Sequence, residues 1–317
     1  MSLVSLSSIL KDARKKRYGV GMFDVHNLEM TNAVIEAAEE EKSPVILALA
    51  EVHAETVKAL EDIANIMVYA GKRSSVPVCV HFDHGMGFEN IIRVMHLGFS
   101  SVMFDGSTLP YQENIARTAE ITRIAAIFGA SVEGELGHVG GAEGGGSDGG
   151  MVYTEPAEAA DFAEKTKVDA LAVSIGTAHG VYTAPPKLDL PRLREIAARV
   201  SVPLVLHGGS GLSDLDFRNC IQAGVVKINI YTDLVRAAME RIQCEVAAPY
   251  SPFCQNKNRR DPADNRDLAG QIAAILMPLF SGKKTALKYP DLMRFSTEEV
   301  KALVQDKMKL FGSSGRA

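Results

Sequence analysis

The chain has 317 residues, 46% of them apolar, enough for the core of one large barrel or two smaller domains. Its net charge of −5 and pI near 5.9 argue against nucleic acid as a main partner, and basic runs such as Lys11 to Arg17 and Lys257 to Arg260 are short enough to be solvated surface. No stretch approaches the ~20 apolar residues of a membrane span, no signal-like N-terminus is visible, and the four cysteines, Cys79, Cys220, Cys244 and Cys254, form no CxxC pair, so a cytoplasmic protein without a membrane partner is expected.

A Lys/Arg-rich helix opens the chain after Leu3. From there β-branched apolar runs alternate with amphipathic stretches. Gly19–Val25 reads as a strand followed by a helix over Asn27–Glu41. Pro44–Ala50 is followed by Ala54–Gly71, Val76–His81 by Phe88–Gly98, and Ser100–Phe104 by Tyr111–Gly129. Ala130–Glu135 leads, after an intervening loop, to Pro156–Thr166, and Ala170–Ile175 to Pro191–Val200. Val202–His207 precedes Ser213–Ala223, and Val225–Ile230 precedes Asp233–Val246. Gly71, Gly98, Gly129 and Gly224 stand where helices close, as a left-handed C-terminal position prefers. Alternation of this kind implies a parallel sheet covered on both faces. Eight units suit a closed (β/α)₈ TIM barrel, with an open doubly wound sheet as the alternative.

Two regions break the rhythm. Gly137 to Gly150 holds eight glycines in fourteen residues, too many for an ordinary βα turn. The segment from about Ala247 to Asp291 follows the eighth unit and reads as an extra helical C-terminal arm, suited to packing against another subunit. A last helix, Thr297–Phe311, ends at Gly312. The expected organisation is a single domain over 1–317, with 247–295 as an appended helical segment.

In a TIM barrel the C-terminal strand ends share one face, where chemistry is carried out. On that frame His81, Asp83 and His84 end strand three, Asp105 strand four, Glu135 strand five, His207 strand seven and Asn229 strand eight, while His179 follows strand six. A lone histidine is more often a hydrogen-bonded structural residue. Three imidazoles with carboxylates beside them, at successive strand ends, make a site for a borderline metal such as Zn²⁺. Strand logic does not choose between His81 and His84. His26, His53 and His96 read as surface or substrate-rim residues, and His138 is ambiguous. His207-Gly208-Gly209-Ser210-Gly211 runs from a strand end into a helix start, exposing backbone N–H groups to an anion. Asn229-Ile230-Tyr231-Thr232-Asp233 repeats the arrangement one strand later. The bland reading of these turns is helix capping by Ser210, Ser213 and Thr232.

Six ordered motifs, HFDHG (His81–Gly85), MFDGS (Met103–Ser107), EGELG (Glu133–Gly137), GTAHG (Gly176–Gly180), LHGGSG (Leu206–Gly211) and KINIYTD (Lys227–Asp233), resemble the class II fructose-bisphosphate and tagatose-bisphosphate aldolase family over most of the chain. The resemblance implies Asp83 as the acid/base and His84, His179 and His207 as ligands of a catalytic Zn²⁺. It implies Asp105 and Glu135 as ligands of an alternative, more buried metal position. Gly180, Gly208, Gly209, Ser210, Asn229, Ile230, Tyr231 and Thr232 would hold dihydroxyacetone phosphate. Glu143, in the glycine-rich loop, would move a proton at the nucleophilic carbon. A monovalent cation beside the Zn²⁺ and a homo-oligomer, dimer or tetramer, are further implications. The implied reaction is reversible aldol cleavage of a ketose phosphate or bisphosphate.

Four positions depart from the family pattern. Thr183 replaces a common Lys, Tyr231 an Asp or Ala, Ala50 a Ser or Thr, and Asp24 a frequent Asn. These departures bear on the substrate and leave the metal and acid/base set intact. Three rivals stand beside this reading: a Schiff-base aldolase using Lys227, a non-catalytic assembly subunit, and a metal-dependent sugar-phosphate epimerase.

Overall fold

The computed structural model describes residues 2–57, 60–141, 151–182, 184–247 and 288–317. Eight parallel strands close a barrel in sequence order: β1 (Val20–Asp24), β2 (Val45–Ala50), β3 (Val78–Gly85), β4 (Ser101–Phe104), β5 (Ser131–Leu136), β6 (Ala170–Val173), β7 (Leu204–Leu206) and β8 (Val225–Ile230), with β8 pairing back onto β1. All eight sequence-predicted strands are present, and the open sheet is excluded by the β1–β8 pairing. Outside the barrel run α2 (Leu28–Glu41), α3 (Glu51–Val57), α4 (Leu60–Arg73), α5 (Phe88–His96), α6 (Tyr111–Phe128), α7 (Pro156–Thr166), α8 (Leu190–Arg199), α9 (Asp214–Ala223) and α10 (Thr232–Ala247).

Strand alternation sorts the side chains into two cores. Val78, Val80 and Phe82 of β3 point outward into the large cluster beneath the helices. Cys79, with Met22, Ile46, Ala48, Ala170, Ala172 and Val205, fills the lower barrel interior. The N-terminal helix α1 (Leu6–Lys16) closes that lower end, with Leu6, Ile9, Leu10 and Ala13 buried in the same cluster. Its basic residues face outward, which reconciles a Lys/Arg-rich sequence with a plug. Burial pushes the Cys79 thiol up to about 12, as an inert core thiol requires.

Helix ends follow local chemistry. Asn27 caps α2 by accepting the Met30 N–H, and Ser213 forms a capping box with Asp216 at the start of α9. Gly129 closes α6 in the left-handed region. Gly71 does not close a helix: α4 continues to Arg73, and Gly71 instead lies against Leu3, Val78 and Val80, where close packing leaves room for little else.

The last helix, α11 (Tyr289–Phe311), starts eight residues before the expected Thr297, so the stretch 289–295 belongs to it. Pro290 in its first turn removes no needed N–H there. Val300, Val304, Met308 and Phe311 are buried, α11 packs on α2 and α10, and the tail docks through Gly315 N–H to Glu41 O and Ala317 N–H to Lys42 O. The remainder of the expected arm, 248–287, lies outside the described residues. Among the described residues no helix is long and apolar enough to cross a membrane.

Candidate active site at the barrel mouth

Above the apolar plug the barrel interior turns polar. The first polar layer is His81, Glu133 and Lys227, each fully buried. Lys227 Nζ lies 2.9 Å from Glu133 Oε2 and donates to Asn229 Oδ1 at 2.9 Å. Its charge is thus engaged by a carboxylate directly beneath the site. The imidazole of His81 contacts Ser101 Oγ at 2.8 Å and Asp83 Oδ1 at 3.2 Å.

The next layer holds His84, His179 and His207, whose candidate donor atoms all fall within 4.8 Å of one another. By simple alternation His84 would point outward, because His81 and Asp83 already point inward. The backbone reverses it: His84 has φ 48°, in the left-handed region, and the β3–β4 register shifts between Phe82 and Gly85. Such a conformation in a non-glycine residue costs about 1–3 kcal/mol and persists where the surroundings hold it. His84 Nδ1 is 2.7 Å from Asp105 Oδ2, and His207 Nε2 is 2.9 Å from Glu133 Oε1. Each carboxylate takes a ring N–H, which fixes both tautomers. The two remaining nitrogens, His84 Nε2 and His207 Nδ1, then face each other at 3.0 Å.

Two imidazole lone pairs at that distance repel unless positive charge lies between them. Burial alone lowers the His84 pKa, but the carboxylates of Asp83, Asp105 and Glu135 outweigh it and carry the group up to about 10, so the bare protein puts a proton there. Burial lowers His207, and burial together with the charges of His84 and His207 lowers His179 strongly. Positive charge is therefore favoured on His84 and disfavoured on His179 and His207. Nitrogens sharing one Zn²⁺ at about 2.0–2.1 Å each stand roughly 3 Å apart, so these residues fit such an ion. A second grouping, His84, Asp105 and Glu135, lies slightly aside. Glu135 Oε2 is buried without a hydrogen-bond partner among the described residues, and burial raises its pKa well above the usual range.

Asp83 is 2% exposed and accepts from Asn229 Nδ2 through Oδ2 at 3.1 Å. Burial would raise its pKa, but His84, Lys227 and His81 hold it well below the usual carboxylate range, so it is ionised. Asp83 and His179 line one open cleft with Gly180, Gly208, Gly209, Ser210 and Asn229 to Thr232. The two glycine and strand-end turns are joined by Ser210, whose hydroxyl accepts the Tyr231 and Asp233 backbone N–H groups. The capping function expected of Ser210 is therefore real, and it is exerted across to α10. Gly208 has φ 64°, and a Cβ there would come within 2.5 Å of the Ala178 carbonyl oxygen, so only glycine allows this approach. Tyr182 Oη spans the same gap, accepting from Ala178 N–H and donating to Gly208 O.

The remaining sequence-level candidates are dispersed. His138 is buried beside Ser107, and His96 is exposed on α5, away from the mouth. His26 and His53 gather near Tyr231 at the rim. Glu143 and Thr183 lie outside the described residues. Sequence reasoning gave no role to Glu133, left His81 open as an alternative ligand to His84 where the structure sets it against Ser101 and Asp83, and overlooked the Asp24–His53 contact of 2.6 Å. Alternation from Glu135 and Asp83 would have put Glu133 and His81 on the inward face; nothing local pairs residues 24 and 53.

A closed (β/α)₈ barrel with histidines and carboxylates converging at the C-terminal strand ends is the build of a barrel enzyme whose chemistry depends on that mouth. The family profile for class II fructose-bisphosphate aldolase matches residues 4–316, and the chain belongs to that family. It is 35% identical over 319 residues to a probable fructose-bisphosphate aldolase of Bacillus subtilis (strain 168), with both chains covered completely. A fructose-bisphosphate aldolase of Geobacillus stearothermophilus is likewise 35% identical, covering 100% of this chain and 99% of the relative. Among solved structures, the YdjI aldolase from Escherichia coli K12 superposes with a TM-score of 0.79 at 35% identity, covering 99% of each chain. The protein is accordingly an aldolase, a carbon–carbon lyase, which sets aside the epimerase and non-catalytic readings.

Proposed function

We propose that this aldolase is Zn²⁺-dependent and reversibly cleaves a ketose phosphate or bisphosphate to dihydroxyacetone phosphate and an aldehyde. The observation that carries the reading is the facing pair His84 Nε2 and His207 Nδ1, 3.0 Å apart with both tautomers fixed by carboxylates. His84, His179 and His207 would hold the ion, with Asp105 and Glu135 available for a deeper position. Zn²⁺ bound there supplies Lewis acidity toward the substrate oxygens on which negative charge develops.

Asp83 acts as the proton acceptor for the substrate hydroxyl during cleavage and returns the proton in condensation. Asn229 and His81 fix the two carboxylate oxygens, and the Lys227 charge keeps the group ionised and ready to accept. Gly180, Gly208, Gly209, Ser210 and Asn229 to Thr232 hold the phosphate of dihydroxyacetone phosphate, aided by the N-terminus of α10. Glu143 delivers the proton at the nucleophilic carbon. A single barrel domain over 1–317, assembled as a homo-oligomer in the cytoplasm with a monovalent cation near the metal, completes the reading.

The test is condensation of dihydroxyacetone phosphate with a panel of aldehydes after chelation and after Zn²⁺ reloading. Activity should disappear with the metal and return with it. Asp83→Asn should lower kcat by about 10²–10⁴-fold while the zinc content stays at wild-type level. Full turnover by the chelated protein would refute the metal assignment.

A further inference from the structure

Lys227 is fully buried, and its amine is engaged on several sides at once. Nζ lies 2.9 Å from Glu133 Oε2 and 3.2 Å from Glu133 Oε1, donates to Asn229 Oδ1 at 2.9 Å, and stands 3.8 Å from Asp83 Oδ1. Around it sits a ligand set that shares no member with the three histidines of the mouth. His81, Asp83 and Glu133 each offer one donor atom, all within 4.8 Å of one another, and the three residues are 0%, 2% and 0% exposed. His81 Nε2 is 3.2 Å from Asp83 Oδ1 and 3.8 Å from Glu133 Oε2. Glu133 Oε2 makes no hydrogen bond among the described residues, so its contact with Nζ is ionic. Imidazole and carboxylate donors grouped in this way suit a divalent ion. Here the positive charge beside them is an ammonium.

We propose that Lys227 is a positioning residue whose ammonium fills the cation place of this deeper set, closing it to a second metal ion and leaving Asp83 free as the proton acceptor. The inference rests on the zinc aldolase reading above. A divalent ion among His81, Asp83 and Glu133 would take an Asp83 oxygen as a ligand, and a coordinated carboxylate is a weaker base. An ammonium supplies positive charge without coordinating, and at 3.8 Å it forms no direct hydrogen bond to Asp83. It also sorts the Asn229 amide. Lysine has donors and no acceptor, so it takes the amide oxygen, which turns Asn229 Nδ2 toward Asp83 Oδ2 at 3.1 Å. On the other side Glu133 presents Oε1 to His207 Nε2 at 2.9 Å. One buried cation thus ties the acid/base group and a histidine of the mouth into a single frame.

The experiment uses the full-length protein, chelated and then dialysed against Zn²⁺, with bound zinc counted by elemental analysis. Wild type should hold about one ion per chain, Lys227→Ala about two, and Lys227→Ala/His81→Ala about one again. In Lys227→Ala, aldol cleavage should fall about 10²–10⁴-fold. Exchange of the dihydroxyacetone phosphate C–H proton with solvent, which needs no acceptor for the hydroxyl proton, should stay within about fivefold. Lys227→Met fills the same volume with an uncharged chain; it should hold about one ion and show the same split between cleavage and exchange, and it supplies the answer where the alanine variant does not fold. Two ions in the wild type, one ion in a folded alanine variant, or an extra ion that survives the loss of His81 would overturn the proposal while leaving the aldolase reading in place. So would equal losses of cleavage and exchange, the mark of a merely structural role. A zinc-loaded wild type that neither cleaves nor condenses any substrate would instead overturn the aldolase reading, and this inference with it.

Discussion

At the scale of single residues, the charge on His84 decides the chemistry of the mouth. Its ordinary value near 6.5 is carried to about 10 by Asp83, Asp105 and Glu135 in spite of burial. A raised value means that the bare fold gains stability from the protonated ring below about pH 6.5 and loses it as pH rises through about 10. A metal entering this site at pH 8 must therefore displace a proton. Titration calorimetry of the metal-free protein with Zn²⁺, in two buffers of different ionisation enthalpy, should show release of about one proton per ion, and affinity should climb with pH over this interval. The neighbouring histidine makes the complementary case. His81 sits one layer lower, bonded to Ser101 and Asp83. Elemental analysis should find that His84→Ala loses most of its zinc, while His81→Ala keeps it and loses turnover through a misplaced Asp83. Equal zinc loss in the two variants would break the assignment.

Elements explain why such residues can be positioned at all. The sequence of β3 makes its strand character plain, since Val78, Val80 and Phe82 alternate with Cys79, His81 and Asp83. It does not disclose the left-handed turn at His84, because that conformation is imposed by pairing with β4 and by the Asp105 contact. The α1 plug is another case. Its basic composition reads as surface, yet Leu6, Ile9, Leu10 and Ala13 fill the floor of the barrel directly below the polar layers. Truncating Leu10, which is fully buried, should destabilise the fold by about 2–5 kcal/mol. Chemical denaturation would measure that loss. Zinc stoichiometry and KM at a temperature where the variant remains folded should be unchanged, because the plug is separated from the mouth by the layer of His81, Glu133 and Lys227.

For the whole molecule, barrel closure joins residues from six strand ends or the turns that follow them, β3 to β8, around one ion site, so the metal should act as a clasp on the fold. Binding to the native state alone stabilises by about 2.7 kcal/mol when free metal is 100 times its Kd. Differential scanning calorimetry should accordingly give a Tm several degrees lower after chelation, restored by Zn²⁺; an unchanged Tm would argue that no ion bridges these strands. Closure also depends on the C-terminal segment: α11 lies on α2 and α10, and Phe311 O receives the Gly19 N–H at the entrance to β1.

The barrel was legible in the sequence because strand and helix periodicity are local properties, written into every eight-to-fifteen-residue window. The strand-end residues Asp83, His179 and His207 were legible for a related reason: unusual polar residues there stand out against an apolar pattern, whereas strand logic left His81 and His84 open and only the family resemblance pointed to His84. Other features depend on partners distant in the chain. Asp24 meets His53, Lys227 meets Glu133, and Ser210 ties two successive turns together. Which nitrogens remain to face one another between His84 and His207 was fixed by Asp105 and Glu133, from two other strands. Tautomers and charge states are set by three-dimensional neighbours, and those neighbours exist only once the eighth strand has closed on the first.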